Sequence, residues 1–290
     1  MNESVIVFTL ITIIGVVSIF PLTGLTGLFS FGQAAYMAVG AYIAGILAVF
    51  YQMPLIVCGL AGVLGCGVLS MIVGYPTLKL RRDFFALMSL FLGEAIKAVL
   101  NASGNITGGA QGLSSIPKWV GLPGVIVGTI VVVALVAFMK YSRFGRMCLA
   151  IKTDELAAKS FGISVFATKM KVYVFTSMIA GFAGVLYAFY IQYIDPNMFG
   201  WTTSSSWVIF LFFGGTVSLT GSVLSAAILT MLPEMLRFAS ELRTVIYCVI
   251  IIAVLNFRPQ GLLGDKEISD LFKWIKSKLA KPKKLPDKAA

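Results

Sequence analysis

The chain has 290 residues, 58% of them hydrophobic and 12% charged, against about 25% charged in a soluble domain, so lipid rather than water is the solvent for most of its surface. Its net charge of +11 does not indicate nucleic-acid binding, because Lys and Arg are spread along the chain where apolar runs end and form no basic face with interleaved aromatics. The absence of His excludes imidazole metal sites, His-based acid–base catalysis and a Ser-His intramembrane protease; Cys58, Cys66, Cys148 and Cys248 form no Cys-x-x-Cys pair and read as small hydrophobes, so neither a metal nor a cofactor is expected.

Asn2 and Glu3 precede the first apolar run without a basic region, so no cleaved leader is expected and 5–22 reads as a span. Further runs occupy 34–50, 54–75, 84–101, 123–139 and 171–191, followed by a long apolar region over 205–236 and a last run over 244–257. Continuous runs of this length predict helices, since barrel strands would alternate over short segments. The expected fold is all-α: a polytopic transmembrane bundle of about eight to nine spans, some broken, over residues 1–264, with 265–290 as a basic tail.

Nineteen of the 23 basic residues lie in three places: Lys79, Arg81 and Arg82; the seven from Lys140 to Lys171; and the nine from Arg258 onward. The bias of Lys and Arg towards cytoplasmic loops puts all three inside and the N-terminus outside. A single span over 205–236 would send the tail outside. That region is also too long for one simple helix and is interrupted by Gly214-Gly215 and Gly221, so two short helices are expected there. The run over 244–257 is short, which requires Arg243 and Arg258 to snorkel.

Four segments carry chemistry. Gly24-Leu-Thr-Gly-Leu-Phe-Ser-Phe-Gly-Gln33, followed by Tyr36, puts Ser30 and Gln33 at the end of an apolar run; it suits either a pore-lining broken helix or helix packing through small residues. Glu94 and Lys97 fall inside the fourth run at spacing i, i+3, where charge is expensive; a local ion pair that fixes packing is favoured over substrate contact. Asn105-Ile-Thr-Gly-Gly-Ala-Gln-Gly112 offers Thr107, Gly108 and Gly109 for a tight outer turn that could present backbone amides at a pore mouth, or for an ordinary loop. In the second basic loop, 140–170, Thr153 is the expected N-cap of a short helix with Asp154 and Glu155 in its first turn and Gly162 at its end. Ala157, Ala158 and Phe161 should share one side of it, a face able to dock in a groove of another protein. In the tail, Ile268, Leu271, Phe272, Ile275 and Leu279 recur at helical spacing beside lysines, which suits an amphipathic helix on anionic lipid.

Together these segments resemble the permease subunits of branched-chain amino-acid ABC importers, of the LivM type. The resemblance rests on Leu28-Phe-Ser-Phe-Gly-Gln, Leu80-Arg-Arg-Asp-Phe-Phe-Ala, Ile106-Thr-Gly-Gly, Ser142-Arg-Phe-Gly-Arg, Asp154-Glu-Leu-Ala-Ala with Gly162, Gly214-Gly-Thr-Val-Ser-Leu-Thr-Gly221 and Phe257-Arg-Pro-Gln-Gly-Leu-Leu263, in order from about 5 to 264. It implies a bacterial inner-membrane importer in which this chain pairs with a homologous second permease, two separate ABC ATPase subunits at the cytoplasmic face and an extracellular or periplasmic binding protein. Ser30, Gln33, Tyr36, Glu94, Thr107, Gly108 and Gly109 would then line the substrate path, and Asp154, Glu155, Ala157, Ala158 and Gly162 would couple to the ATPase. The family's coupling motif has Glu-Ala-Ala and then Gly four residues on; here Ala157, Ala158 and Gly162 keep that spacing, but Leu156 stands at the Glu position and Glu155 one place earlier. Close relatives carry urea or short amides, so the substrate stays open between these and branched-chain or related hydrophobic amino acids.

No Gly-x-x-x-x-Gly-Lys-Ser/Thr occurs, so ATP hydrolysis would belong to another polypeptide and the chain is not read as an enzyme. An ATP-independent transporter would need its own coupling charges, for which Glu94 and Lys97 are the only candidates. An intramembrane enzyme lacks an Asp pair, since Asp83 sits at a span boundary and Asp195 in an outer loop.

Overall fold

The computed structural model of the chain describes residues 3–236, 243–258, 261–262 and 264. The tail and its expected amphipathic stripe lie outside them, as does the side chain of Arg243. The described elements are helical, and one isolated bridge, Leu113 to Ile194, stands where a sheet would be.

The first apolar run forms α1 (Glu3–Phe20), continued by a π-helical turn over Pro21–Leu25. Residues 26–32 then run irregularly before α2 (Gln33–Phe50). α3 (Leu55–Thr77) and α4 (Arg82–Ala102) follow, then a single turn, α5 (Gly104–Thr107), and α6 (Leu122–Tyr141). Two short amphipathic pieces, α7 (Arg143–Thr153) and α8 (Glu155–Ser160), lead to α9 (Val165–Ile191). α10 (Trp201–Gly214), α11 (Leu219–Met235) and α12 (Arg243–Phe257) complete the bundle.

Five helical stretches are long and apolar enough to cross a bilayer: 3–25, 33–50, 55–77, 122–141 and 165–191. α4 is a full 21 residues but carries Arg82, Asp83, Glu94 and Lys97. α10 and α11 are short because the region 205–236 is broken as expected, at 215–218. There Gly214 and Gly221 meet backbone to backbone, and a Cβ on either would overlap the other's carbonyl. Ser225 Oγ donates to Phe210 O at 2.6 Å and ties the two short helices into an antiparallel hairpin.

Burial separates an inner set of helices from an outer one. α1 with its π turn, α2 and α9 bury 72%, 67% and 67% of their most apolar stretch, whereas α3 and α6 bury 28% and 33%. Ile56, Leu60, Leu64, Val68 and Ile72 of α3 are all exposed, an uncharged stripe suited to lipid. At the centre α2 crosses α9 at glycines. A Cβ on Gly40 would overlap the backbone of Gly181, and one on Gly184 would overlap the carbonyl of Met37. Such close approach is how apolar helices gain dispersion contacts where lipid removes the hydrophobic drive between them.

Polar contacts sort the helix ends into two groups. At one end Lys152 reaches Gly24, Arg82 reaches Lys152, Lys140 reaches Val217 and Leu262 N–H donates to Phe213 O. At the other end Tyr42 reaches Ile194, Leu113 pairs with Ile194, and Glu94 meets Trp201.

Candidate functional site

The irregular segment 26–32 is almost wholly buried, so its amides and those opening α2 need partners inside the protein. Phe31 N–H donates to Ser89 Oγ of α4 at 2.9 Å, and Ala34 N–H to Ser204 Oγ of α10 at 2.9 Å. Gly32 N–H is 3.5 Å from Ser30 Oγ. Gln33 Nε2 donates to Thr176 Oγ1 of α9 at 3.3 Å, while Gln33 Oε1 is buried without a partner. One turn on, the Tyr36 and Tyr173 hydroxyls meet at 2.7 Å. Ser30, Gln33 and Tyr36 are thus brought together and fully buried; Gln33 and Tyr36 bond α2 to α9, while the Phe31 and Ala34 amides bond the entry of α2 to α4 and α10. Ser89, Thr176 and Ser204 complete this cluster. No pattern along the chain marks them, since single hydroxyls in apolar runs lie 58 to 170 residues from what they bind.

Glu94 and Lys97 form the expected local pair, with Glu94 Oε2 3.8 Å from Lys97 Nζ. Glu94 Oε1 also accepts Trp201 N–H at 3.0 Å, so its charge sits on the first amide of α10, where an N-terminal helix dipole favours an anion. In the turn over 104–112 the glycine amides are already used. Gly108 N–H donates to Gly104 O, Gly109 N–H to Thr107 Oγ1 and Gly112 N–H to Gly109 O. Thr107 Oγ1 itself donates to Leu100 O at 2.6 Å. Thr107, Gly108 and Gly109 therefore form a closed turn at the far end of the bundle from Ser30.

The second basic loop folds into two short capped helices. Ser142 Oγ accepts Gly145 N–H at 3.2 Å and starts α7. The expected N-cap, Thr153, instead ends α7, its hydroxyl donating back to Leu149 O. Asp154 caps α8 in its place, its Oδ1 accepting Leu156 N–H at 2.8 Å and Ala157 N–H at 3.2 Å. A carboxylate that accepts two amides outcompetes a neutral hydroxyl. Gly162 has φ +80, the left-handed conformation a side chain disfavours, and this lets Ile163 N–H return to Ala158 O at 3.1 Å.

The expected common face of Ala157, Ala158 and Phe161 is split. Ala158 is 2% exposed and packs on Ile151, Val165 and Ile163 of its own chain. Ala157 is exposed, as are Leu156 at 76% and Phe161 at 85%, and these large apolar side chains are what the element presents outward. Reading Ala158 as outward failed because the turn at Gly162 brings Ile163 and Val165 back beneath it.

Glu155 anchors the element. Its Oε1 lies 2.6 Å from Lys169 Nζ of α9 and 3.4 Å from Arg82 Nε of α4. Arg82 Nη2 also donates to the carbonyls of Ile151 and Lys152, both at 3.2 Å. Partial burial pushes the Glu155 carboxyl up, but its bonds and attraction to Lys169, and then to Arg82, outweigh burial and leave it below its ordinary value. A carboxyl depressed on folding contributes its anchoring above the ordinary carboxylate range and loses it as pH falls through the lower folded value. Amide-exchange protection of α8 should therefore be constant at neutral pH and fall on acidification below about pH 4. Glu155→Gln should show the low protection already at pH 7, and equal protection in both proteins at pH 7 would refute the anchor.

The same loop holds both breaks in the bundle. Lys152 Nζ donates to Gly24 O at 2.9 Å and Lys140 Nζ to Val217 O at 2.6 Å. Arg82, Lys140, Lys152 and Lys169 register in the sequence only as topogenic charge, because their partners are remote in the chain.

Long apolar helices, irregular backbone buried at two breaks and a tethered helix with an apolar outward face together define a multi-pass membrane protein. The chain belongs to the family described as branched-chain amino acid transport system / permease component, whose pattern matches residues 1–255. It is 27% identical over 272 residues to the high-affinity branched-chain amino acid transport system permease protein LivM of Salmonella typhimurium, covering 82% of this chain and 64% of that protein. It is 26% identical over 237 residues to a probable branched-chain amino acid transport permease protein LivM of Methanocaldococcus jannaschii, covering 72% of this chain and 68% of that protein. It is also 28% identical over 185 residues to the high-affinity permease protein LivH of Salmonella typhimurium, covering 63% and 56%. No solved structure matches the chain.

Proposed function

We propose that the chain is one permease subunit of an ABC importer for branched-chain or related hydrophobic amino acids. A homologous second permease completes its path, separate ATPase subunits drive it from the cytoplasm, and an external binding protein delivers substrate. The observation that carries this reading is α8: a capped helix held by Glu155, Arg82 and Lys169, presenting Leu156 and Phe161 to whatever docks there. Similarity to both LivM and LivH proteins supports a two-permease assembly. In a bacterial inner membrane, nine passes, α1 to α4, α6 and α9 to α12, would put the N-terminus outside and Arg258 inside, in keeping with the basic loops and the two groups of helix ends. Ser30, Gln33 and Tyr36 would take part in the path as the hinge of the broken α1–α2 pair, and Glu94 with Thr107 to Gly109 as its outer frame.

Co-purification of an ATPase subunit and ATP-dependent leucine uptake in reconstituted vesicles test the function; uptake of urea but not leucine would reassign the substrate. Topology is tested separately in a Cys248→Ala background. An impermeant thiol reagent added outside should label Ala110→Cys and miss Ser160→Cys, both at exposed positions; the reverse pattern would overturn the orientation.

A further inference from the structure

A cavity of about 470 Å³ opens between the turn joining α3 to α4 and the junction of α8 with α9. Lys79, Arg81, Arg82, Lys159 and Lys169 line it, and Glu155 is the one carboxylate among its lining residues. Glu155 is shared by Arg82 and Lys169, leaving Lys79, Arg81 and Lys159 without a carboxylate in the cavity to balance them. Cations gathered this closely repel one another, and an anion in the cavity would relieve that repulsion.

The surroundings indicate which anion. Lys79 Nζ sits 4.0 Å from the centre of the Tyr75 ring, and Tyr75 meets Phe166, another lining residue, edge to face at 5.8 Å. Tyr75 is exposed on the outer side of α3, where Ile72, Met71 and Val68 continue it as an exposed apolar surface. Phe84, also exposed, stands at the start of α4. A soluble anion would use the cations and leave this surface unused; an amphiphile uses both. Leu156 and Phe161 do not line the cavity.

We propose that this cavity binds the phosphate headgroup of an anionic phospholipid of the inner leaflet, with the acyl chains laid along α3. The proposal rests on the membrane orientation given above. The lipid phosphate would bridge Lys79 and Arg81 of the α3–α4 turn to Lys159 of α8, adding a second clamp on the helix that Glu155 anchors. Basic pockets at the cytoplasmic ends of membrane helices suit such headgroups.

The test is lipid retention by the purified full-length permease, measured by native mass spectrometry after exchange with dioleoylphosphatidylglycerol and dioleoylphosphatidylcholine. The phosphatidylglycerol should be retained preferentially. The triple variant Lys79→Gln, Arg81→Gln, Lys159→Gln should lose that preference by roughly a hundredfold, on the scale of one cation–lipid attraction per residue. Lys79→Arg with Lys159→Arg keeps the charge and should keep the preference, which separates lost binding from misfolding. Millimolar glycerol 3-phosphate should fail to displace the lipid. Equal retention of the two lipids, a preference surviving in the triple variant, or displacement by glycerol 3-phosphate would each overturn the proposal. So would a triple variant that loses only ATPase association, since the cavity would then be a protein contact. Thiol labelling reports orientation independently, so a wrong topology is distinguishable from a site that binds no lipid.

Discussion

Truncating both Leu156 and Phe161 to Ala is expected to abolish transport and release the ATPase while the permease inserts and folds normally. Both side chains are outward and more than three-quarters exposed, so their removal leaves no cavity in this chain. Burying a Leu or Phe side chain in an interface contributes about 1.5–3 kcal/mol each. Losing two weakens association by at least about a hundredfold, since every 1.4 kcal/mol is tenfold. The readouts are ATPase yield on purification and leucine uptake in reconstituted vesicles. Stoichiometric ATPase with undiminished uptake would show that α8 is a passive connector. Ala157→Ser, on the same exposed side, should have little effect on either.

The second large effect concerns folding. Gly184→Val should leave no folded permease in the membrane, because its Cβ would overlap the backbone carbonyl of Met37, which no rotamer change can move aside. Overpacking a well-filled site usually costs about 1–3 kcal/mol, and a clash with backbone in the central α2–α9 crossing lies at or above the top of that range. Gly59→Ala is the control. Its Cβ would meet Val185 Cγ1 at 3.7 Å, an ordinary contact, and Ala is the better helix former by about 0.5–1 kcal/mol. Membrane-fraction yield and monodispersity in detergent check both; wild-type yield from Gly184→Val would mean that α2 and α9 do not cross there.

Most helices were legible because their apolar runs are long, and the break at 215–218 was legible because glycines and topogenic charge demanded it together. Less was readable at the site. The Glu94–Lys97 pair is local and was visible at spacing i, i+3; its bond to Trp201 N–H, 107 residues away, was not. The α8 helix was visible from its acidic first turn and Gly162, but which side it buries depends on Ile163 and Val165 returning beneath it, a matter of chain path rather than periodicity. The hydroxyl cluster around Gln33 had no one-dimensional signal, since Ser and Thr are unremarkable in apolar helices until their partners are known.

The two lysine tethers make the elbow between α6 and α7 a yoke. Lys140 grips Val217 in the α10–α11 break and Lys152 grips Gly24 at the start of the α1–α2 break. The breaks also touch each other, since a Cβ on Gly24 would meet the Thr216 carbonyl and the Phe29 and Phe212 rings stack at 5.6 Å. A pull on the elbow therefore cannot load one break and spare the other. The four helices that end at these breaks, α1, α2, α10 and α11, form one linkage with a single handle.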